Sequence, residues 1–316
     1  MSIISKPMLA SACKDLTKLD FENNRYIATP KLDGIRALTI DGQLVSRTFK
    51  PIRNKHIKKM LEVLPDNLDG EIVCPGAFQK TSSGVMSEAG EPTFKYYIFD
   101  FVIRNNLNTP YAKRLEDMGM LFEELNKQAT YKDVLNYCVF LRPGEILNGL
   151  SLCKEINSLE ELKDYEQKCL NNSFEGVILR TNTSPYKCGR ATEKQQWLLK
   201  IKRFADDEAI ILGFGEKMHN NNPAKKDNFG RTIRASIKEN LTPAGTLGFL
   251  KVKDLKTGVH FEIGTGFDDD LRQEIWDNQN NYLNLICKYK HFKISGVKDK
   301  PRFPVYLGIR DLDDLS

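Results

Sequence analysis

Four short segments carry residue types that could together perform phosphoryl chemistry. Thr29-Pro30-Lys31-Leu32-Asp33-Gly34-Ile35-Arg36 sets a lysine close to an acid, a glycine and an arginine, after an extended stretch that Pro30 favours. A lysine attacks phosphorus only as the free amine, a form promoted by desolvation or neighbouring cations. Asp69-Gly70-Glu71 puts two carboxylates on one face if the segment is a strand. Glu71 would then bind a sugar hydroxyl or a metal, and Asp69 would support the fold. Phe174-Glu175-Gly176-Val177 again presents a carboxylate at the edge of an apolar strand. There Glu175 would be a hard oxygen ligand for Mg2+ near a polyphosphate. Leu198-Leu199-Lys200-Ile201-Lys202 sets two lysines on one strand face, and an uncompensated pair there wants an anion. Each segment alone has a plain structural explanation, because short motifs recur by chance.

These side chains need a scaffold of mixed strands and helices. Arg25–Thr29, Ala37–Ile40 and Gln43–Ser46 read as short strands, the last two joined by Asp41-Gly42, a hairpin signal. Lys95–Ile103 is a nearly continuous apolar and aromatic run, which predicts a buried strand. Lys113–Leu125 has the helical spacing of an amphipathic surface helix. Gly176–Arg180 and Gln196–Lys202 predict further strands. The texture changes after about Phe204. Ala209–Phe214, Thr246–Lys253, Gly258–Ile263 and Pro304–Ile309 are short strand-like runs, with Asp268–Ile286 as the one helical stretch. That pattern predicts a small β-barrel. A polar insertion, Gly215–Gly245, interrupts it; its Lys217, Lys225, Lys226, Arg231, Arg234 and Lys238 outnumber its acidic residues. Connections of that length are functional or disordered. The expected domains are 1–205 and 206–316.

Composition narrows the class without choosing a function. A chain of 316 residues, 41% hydrophobic and 28% charged, has the make-up of a folded globular protein. The excess of 47 basic over 42 acidic residues, net +5, permits a nucleic-acid partner and does not require one. No apolar run is long enough to span a bilayer, and the amino terminus lacks signal-peptide architecture, so an intracellular protein is expected. The seven cysteines are scattered without C-x2-C spacing, so metal ligands should be carboxylates and phosphates.

Taken in order, KxDG, DGE, FEGV and LLKIK resemble the covalent nucleotidyltransferase superfamily of DNA ligases, RNA ligases and mRNA capping enzymes. The blocks ATPKLDGIR, SRTFKPIRN, FDFV, FEGVILR, KDNFG, IGTGFD and PRFPVYLGIR narrow the likeness to the small virus-encoded ATP-dependent DNA ligases, across nearly the whole chain. The resemblance implies an α+β nucleotidyltransferase (adenylation) domain followed by an all-β OB-fold barrel with a long latch-like insertion at about 215–245. It implies ATP, Mg2+ (for which Mn2+ can substitute) and nicked duplex DNA as partner, with no membrane and a monomeric enzyme.

Roles carry over residue by residue. Lys31 is similar to the lysine that becomes adenylated. Arg36 and Arg47 match arginines that contact the nucleotide sugar side and the DNA 5′-phosphate. Glu71 resembles the ribose-binding carboxylate, Phe99 the aromatic that stacks on adenine, and Thr29 offers a backbone group to the base. Glu175 resembles the metal-linked carboxylate, with Glu71 the lesser candidate. Lys200 and Lys202 resemble the lysines that hold the α-phosphate, and Arg190 an arginine near the triphosphate. Arg302 and Arg310 lie in the motif that reaches the pyrophosphate, although a structural salt bridge also explains Arg310. Lys225, Lys226, Arg231 and Arg234 would grip DNA, in an insertion expected to be mobile until DNA binds. An RNA ligase, a GTP-using capping enzyme and a non-catalytic single-strand-binding OB protein are the alternatives.

Overall fold

The computed structural model describes residues 4–76, 78–102, 106–226, 232–235, 237–292 and 300–310. It divides into two compact units, Met1–Lys202 and Arg203–Ser316. Ile103 of the expected Lys95–Ile103 strand and Arg231 of the insertion fall outside the described residues.

The first unit is built on two five-stranded sheets. One runs Gln43–Ser46, Ile35–Ile40, Leu68–Val73, Lys95–Phe101, Cys138–Phe140, antiparallel except for the last pair. Asp41 and Gly42 both take positive φ, 49° and 73°, as the two-residue hairpin between its first strands requires. The other sheet runs Lys154–Ile156, Tyr26–Pro30, Gly176–Thr181, Leu198–Lys202, Ser11–Ala12. Each carries a helical backing on its own core. The helix Tyr111–Asn126 packs Leu115, Met118 and Leu125 with Tyr96, Ile98 and Phe140 of the first sheet. The helix Leu159–Asn171, capped by Ser158, packs Leu162, Tyr165 and Cys169 with Val177, Leu179 and Ile201 of the second. Neither that helix nor Lys55–Leu61 and Phe78–Met86 is foreseen in the sequence reading, because their apolar positions are few and polar or charged residues outnumber them.

A buried ion network ties these layers together. Asp100, fully buried, takes Arg114 Nε at 2.7 Å and Nη2 at 3.2 Å. Its Oδ2 also accepts Nη1 of Arg180, from the opposite sheet. Arg114 in turn donates to the carbonyls of Thr109 and Ser184.

The second unit is one antiparallel sheet of five strands in the order His260–Ile263, Leu241–Asp254, Phe204–Asn220, Ile286–Phe292, Arg302–Ile309. Among the described residues its edge strands are not joined by a backbone ladder, so the expected barrel is partly open, as OB folds are. Two bonds bridge the gap: Tyr306 N donates to Thr265 O, and Thr265 Oγ1 to Pro304 O, both at 2.9 Å.

Two sequence expectations need correction here. The stretch Asp268–Ile286 is not one helix: helices cover Asp269–Asp277 and Gln279–Tyr282, and Ile286 opens a strand. That strand, ICKYKHF, alternates apolar and basic residues, and its lysines disguise it. The insertion is also shorter than Gly215–Gly245. Its arms are ladder, with Asn220 opposite Leu241, in strands of 17 and 14 residues. Register shifts near Gly213, Gly215 and Met218 bend the pair. A Cβ at Gly248 would lie 2.6 Å from Glu216 O, so that close approach requires glycine. Beyond the arms, Ala224–Lys226 pairs with Thr232–Arg234. Buried Asn222 anchors this tip, bonding Asn220 Oδ1 at 2.8 Å, Ile237 O at 3.1 Å and Asn240 Nδ2 at 3.0 Å.

Removing Arg114 leaves Asp100 with half its cationic partners and two buried carbonyls without a donor. Arg114→Ala is expected to lower the unfolding free energy by about 3–5 kcal/mol in urea denaturation. The exposed neighbour change Lys113→Ala should cost less than about 1 kcal/mol. Equal small losses would show that the network does not hold the layers.

Candidate active site

The four motifs of the first unit converge on the cleft between its two sheets. Lys31 directly follows the strand Tyr26–Pro30, and the backbone sets its position: Lys31 N donates to Gly176 O at 2.9 Å, and Glu175 N to Lys31 O at 3.1 Å. That exchange puts the Lys31 amine against the Glu175 carboxylate, and the two side chains form a close ion pair. Gly176 permits it. Its φ is +143°, and a Cβ there would meet Ile201 O at 2.1 Å. Lys202 reaches the same Glu175 oxygen at 3.2 Å. Burial alone would raise the Glu175 carboxyl; Lys31 and Lys202 outweigh it and hold the group below the usual carboxylate range.

On the facing sheet Arg36 and Glu71 are opposite one another in register. Arg36 forks onto Asp69, with Nε to Oδ1 at 2.5 Å and Nη2 to Oδ2 at 2.6 Å. Tyr186 adds its hydroxyl to Asp69 at 2.7 Å. Asp69 therefore supports the fold, as its side chain is fully buried and occupied. Glu71 accepts from Gly34 N at 2.7 Å, which ties the KxDG turn to this strand. Burial raises its carboxyl, opposed by Lys31 and Arg36. Phe99 borders the same cleft, and the Arg36 guanidinium covers one face of its ring at 4.5 Å. Tyr111 fixes the Phe99 backbone by donating its hydroxyl to Phe99 O at 3.1 Å.

Lys200 and Lys202 do share a strand face, but Lys202 is compensated by Glu175. Lys200 lies below its ordinary value through burial first, then through Arg190 and Lys31, with Arg47 adding to them against Glu175. Lys202 is lowered likewise, by burial and Lys31. The mouth of the cleft thus holds several cations around one carboxylate, an arrangement that favours a polyanion. Thr29, Lys31, Arg36, Glu71 and Phe99 line the cleft directly. Arg47 and Arg190 are exposed, the latter donating Nη1 to Ala10 O at 2.6 Å. Among the described residues no three His, Cys, Asp or Glu side chains cluster as a metal cage. A divalent cation would rest on Glu175 or Glu71 and on substrate oxygens, which suits Mg2+.

The sequence reading missed Arg180, Tyr111, Ile27 and Ile178, which also line the cleft. An arginine ending the apolar run FEGVILR, two positions from Ile178, was the available signal. In the second unit, Arg302 opens the last strand, and Arg310 pairs with Glu208 at 2.9 Å, the structural bridge considered for it. Lys225, Lys226 and Arg234 sit exposed on the tip hairpin.

Fold and cleft together define a nucleotidyltransferase domain followed by an OB-fold domain. Residues 7–202 match the ATP dependent DNA ligase domain family and residues 242–310 the DNA ligase OB-like domain. The chain belongs to the ATP-dependent DNA ligase family. It is 35% identical to Chlorella virus DNA ligase-adenylate, with a TM-score of 0.54, over 97% of this chain and all of that one. A DNA ligase of the Lig E type shares the fold at a TM-score of 0.68 and 22% identity, over 96% of this chain and 99% of that one. African swine fever virus DNA ligase is 24% identical over 222 residues, 66% of this chain and 49% of that protein. The chain spans about half the length of the curated relatives it matches.

A carboxyl held low stabilises the fold above its solution value of about 4.3 and loses that contribution as pH falls through the lower folded value. Glu175→Gln is therefore expected to be less stable than the unchanged protein at pH 7, on the order of 1–3 kcal/mol. The gap should narrow in denaturation curves taken below about pH 4. A gap independent of pH would contradict the charge pairing.

Proposed function

We propose that the protein is an ATP-dependent DNA ligase that seals 3′-hydroxyl/5′-phosphate nicks in duplex DNA through a covalent lysyl-AMP. The observation that carries this reading is the Lys31 amine, held by its backbone exchange with the FEGV turn at the cationic mouth of a cleft lined by Phe99, Arg36 and Glu71. The free amine of Lys31 attacks the α-phosphorus of ATP: the N–P bond forms, the bond to the bridging oxygen breaks, and pyrophosphate leaves. A 5′-phosphate oxygen of the nick then attacks the same phosphorus, the Lys31 N–P bond breaks to return the amine, and attack by the 3′-hydroxyl on the 5′-phosphorus displaces AMP.

Lys200, Lys202 and Arg190 are the groups available to balance phosphate charge at each transfer. Glu71 accepts from the ribose, Phe99 stacks on the base, and Thr29 presents backbone to it. Glu175 orients the Lys31 amine. When bound, Mg2+, with Glu175 as its carboxylate, supplies charge neutralisation on the leaving pyrophosphate. Arg47 serves the DNA 5′-phosphate and Arg302 the pyrophosphate, whereas Arg310 is held in its bridge to Glu208. Lys225, Lys226 and Arg234, with Arg231, clasp the duplex through its phosphates, so binding should weaken steeply with salt and ignore sequence. The protein works as a monomer inside the cell.

Incubation with α-labelled ATP, GTP or NAD should label the chain from ATP alone, and singly nicked duplex should chase the label into sealed product. Lys31→Ala should reduce labelling to background while still sealing pre-adenylated nicks. Label on that variant would refute the nucleophile assignment, and label from GTP would move the protein to the capping branch. Limited proteolysis tests the clasp: cleavage within 221–235 should slow on adding nicked duplex, and unchanged cleavage would count against DNA contact there.

A further inference from the structure

We infer that Tyr186 is a positioning residue for nucleotide binding: its hydroxyl locks the Asp69 carboxylate and, through it, the Arg36 guanidinium at the cleft. This role rests on the ATP-binding reading above, with Arg36 on the sugar side of the nucleotide. Four hydrogen bonds close a ring behind the cleft wall. The Tyr186 hydroxyl donates to Asp69 Oδ2 at 2.7 Å and accepts from Met8 N at 3.1 Å. Arg36 Nη2 donates to the same Asp69 oxygen at 2.6 Å and to Met8 O at 3.2 Å. The ring thus joins the strands Ile35–Ile40 and Leu68–Val73 to Met8–Leu9, the short strand paired with Gly189–Arg190. Tyr186, Asp69 and Met8 are all buried, so these bonds are sheltered from solvent.

The donors of Arg36 show what the lock achieves. Nε goes to Asp69 Oδ1, and Nη2 is divided between Asp69 and Met8. Nη1 is then the one nitrogen of this guanidinium without a hydrogen bond among the described residues. Arg36 borders the cleft beside Phe99, so the two Nη1 hydrogens are those a ligand can use. Their direction is set by the plane of the fork, and the fork turns with the carboxylate. A carboxylate on one donor group turns easily, because its last torsion has a broad well. Tyr186 narrows that well as a second donor on Oδ2, from a ring fixed in the apolar cluster that holds Leu38 and Leu198. Burial first, and then Asp69, pushes the phenol well above its ordinary value, so it keeps its proton and stays a donor. A phenylalanine would keep the packing, leave Met8 N buried without its acceptor, and free the carboxylate to turn.

The test is covalent labelling of pyrophosphate-treated enzyme by α-labelled ATP, in wild type, Tyr186→Phe, Arg36→Gln and the double variant. Tyr186→Phe should need on the order of 3–10-fold more ATP for half-maximal labelling, with the maximal rate nearly unchanged. In the Arg36→Gln background the same change should shift that concentration by less than about 2-fold, because the two residues act as one unit. Urea denaturation of the four proteins should show Tyr186→Phe losing stability in both backgrounds, which a merely structural role would carry into labelling as well. Factors that multiply across the two backgrounds, or a Tyr186→Phe variant with the wild-type ATP requirement, would overturn the assignment. A second comparison uses 2′-deoxy- and 3′-deoxy-ATP. Tyr186→Phe should lose part of the wild-type preference for ATP over at least one of them, and full retention of both preferences would overturn the assignment. Should Arg36→Gln take no label, this comparison decides alone. Absence of label on the wild type from ATP would overturn the ligase reading and this assignment together, whereas label with multiplying factors overturns the assignment alone.

Discussion

Asp100 sits without solvent exposure near the end of an apolar strand, where a lone carboxylate would be neutralised or expelled. Two arginines from different elements meet it there, one on the helix Tyr111–Asn126 and one on the facing sheet. Together they hold its carboxyl below the usual range against the opposing effect of burial. Pairs of this kind seldom add net stability over apolar packing of the same volume. Their contribution is register: if the sheets slid, a charge would be left unpaired in the interior. The position of Phe99, next to Asp100 in sequence, and of Arg180 across the cleft follow from that constraint.

At the other end of the cleft the balance is reversed. Glu175 is one carboxylate against Lys31 and Lys202, with Lys200, Arg190 and Arg47 close enough to influence one another. Such a set repels itself until an anion arrives. Burial and mutual repulsion both depress Lys200 and Lys202, a balance that favours an anion beside them. The cleft is thus apolar along Ile27, Ile178 and Leu198 and cationic around Glu175.

The second unit solves a different problem, that of projecting charge far from a core. Its two longest strands continue past the core residues Leu247, Leu250 and Ile211 into a ladder with polar faces. With little apolar burial there, the tip depends on Asn220, Asn222 and Asn240 bonding one another and the backbone. A buried asparagine with its donors and acceptor satisfied can hold a turn where no hydrophobic contact can.

Local chemistry was legible in the sequence. The Asp41-Gly42 hairpin, the strands carrying KxDG, DGE and FEGV, and the identity of Lys31, Glu175 and Glu71 as reactive candidates depend on spacing within a few residues. The family likeness extended that to Phe99 and Arg36. Harder to see were helices rich in charge, such as Leu159–Asn171, and the strand Ile286–Phe292, since solvent-facing polar residues mask their period. The sequence reading passed over the acid inside KYYIFDFVI, whose cation partners Arg114 and Arg180 come from other elements. Sequence by itself singled out the candidate reactive groups and the family, because those depend on residue types and short-range geometry. Only the tertiary structure decided that Lys202 shares Glu175 with Lys31, that Arg114 and Arg180 share Asp100, and that the insertion is mostly ladder. Each of these is a pairing between positions far apart in the chain, and a buried charge accepts whichever partner the packing of the sheets brings within reach.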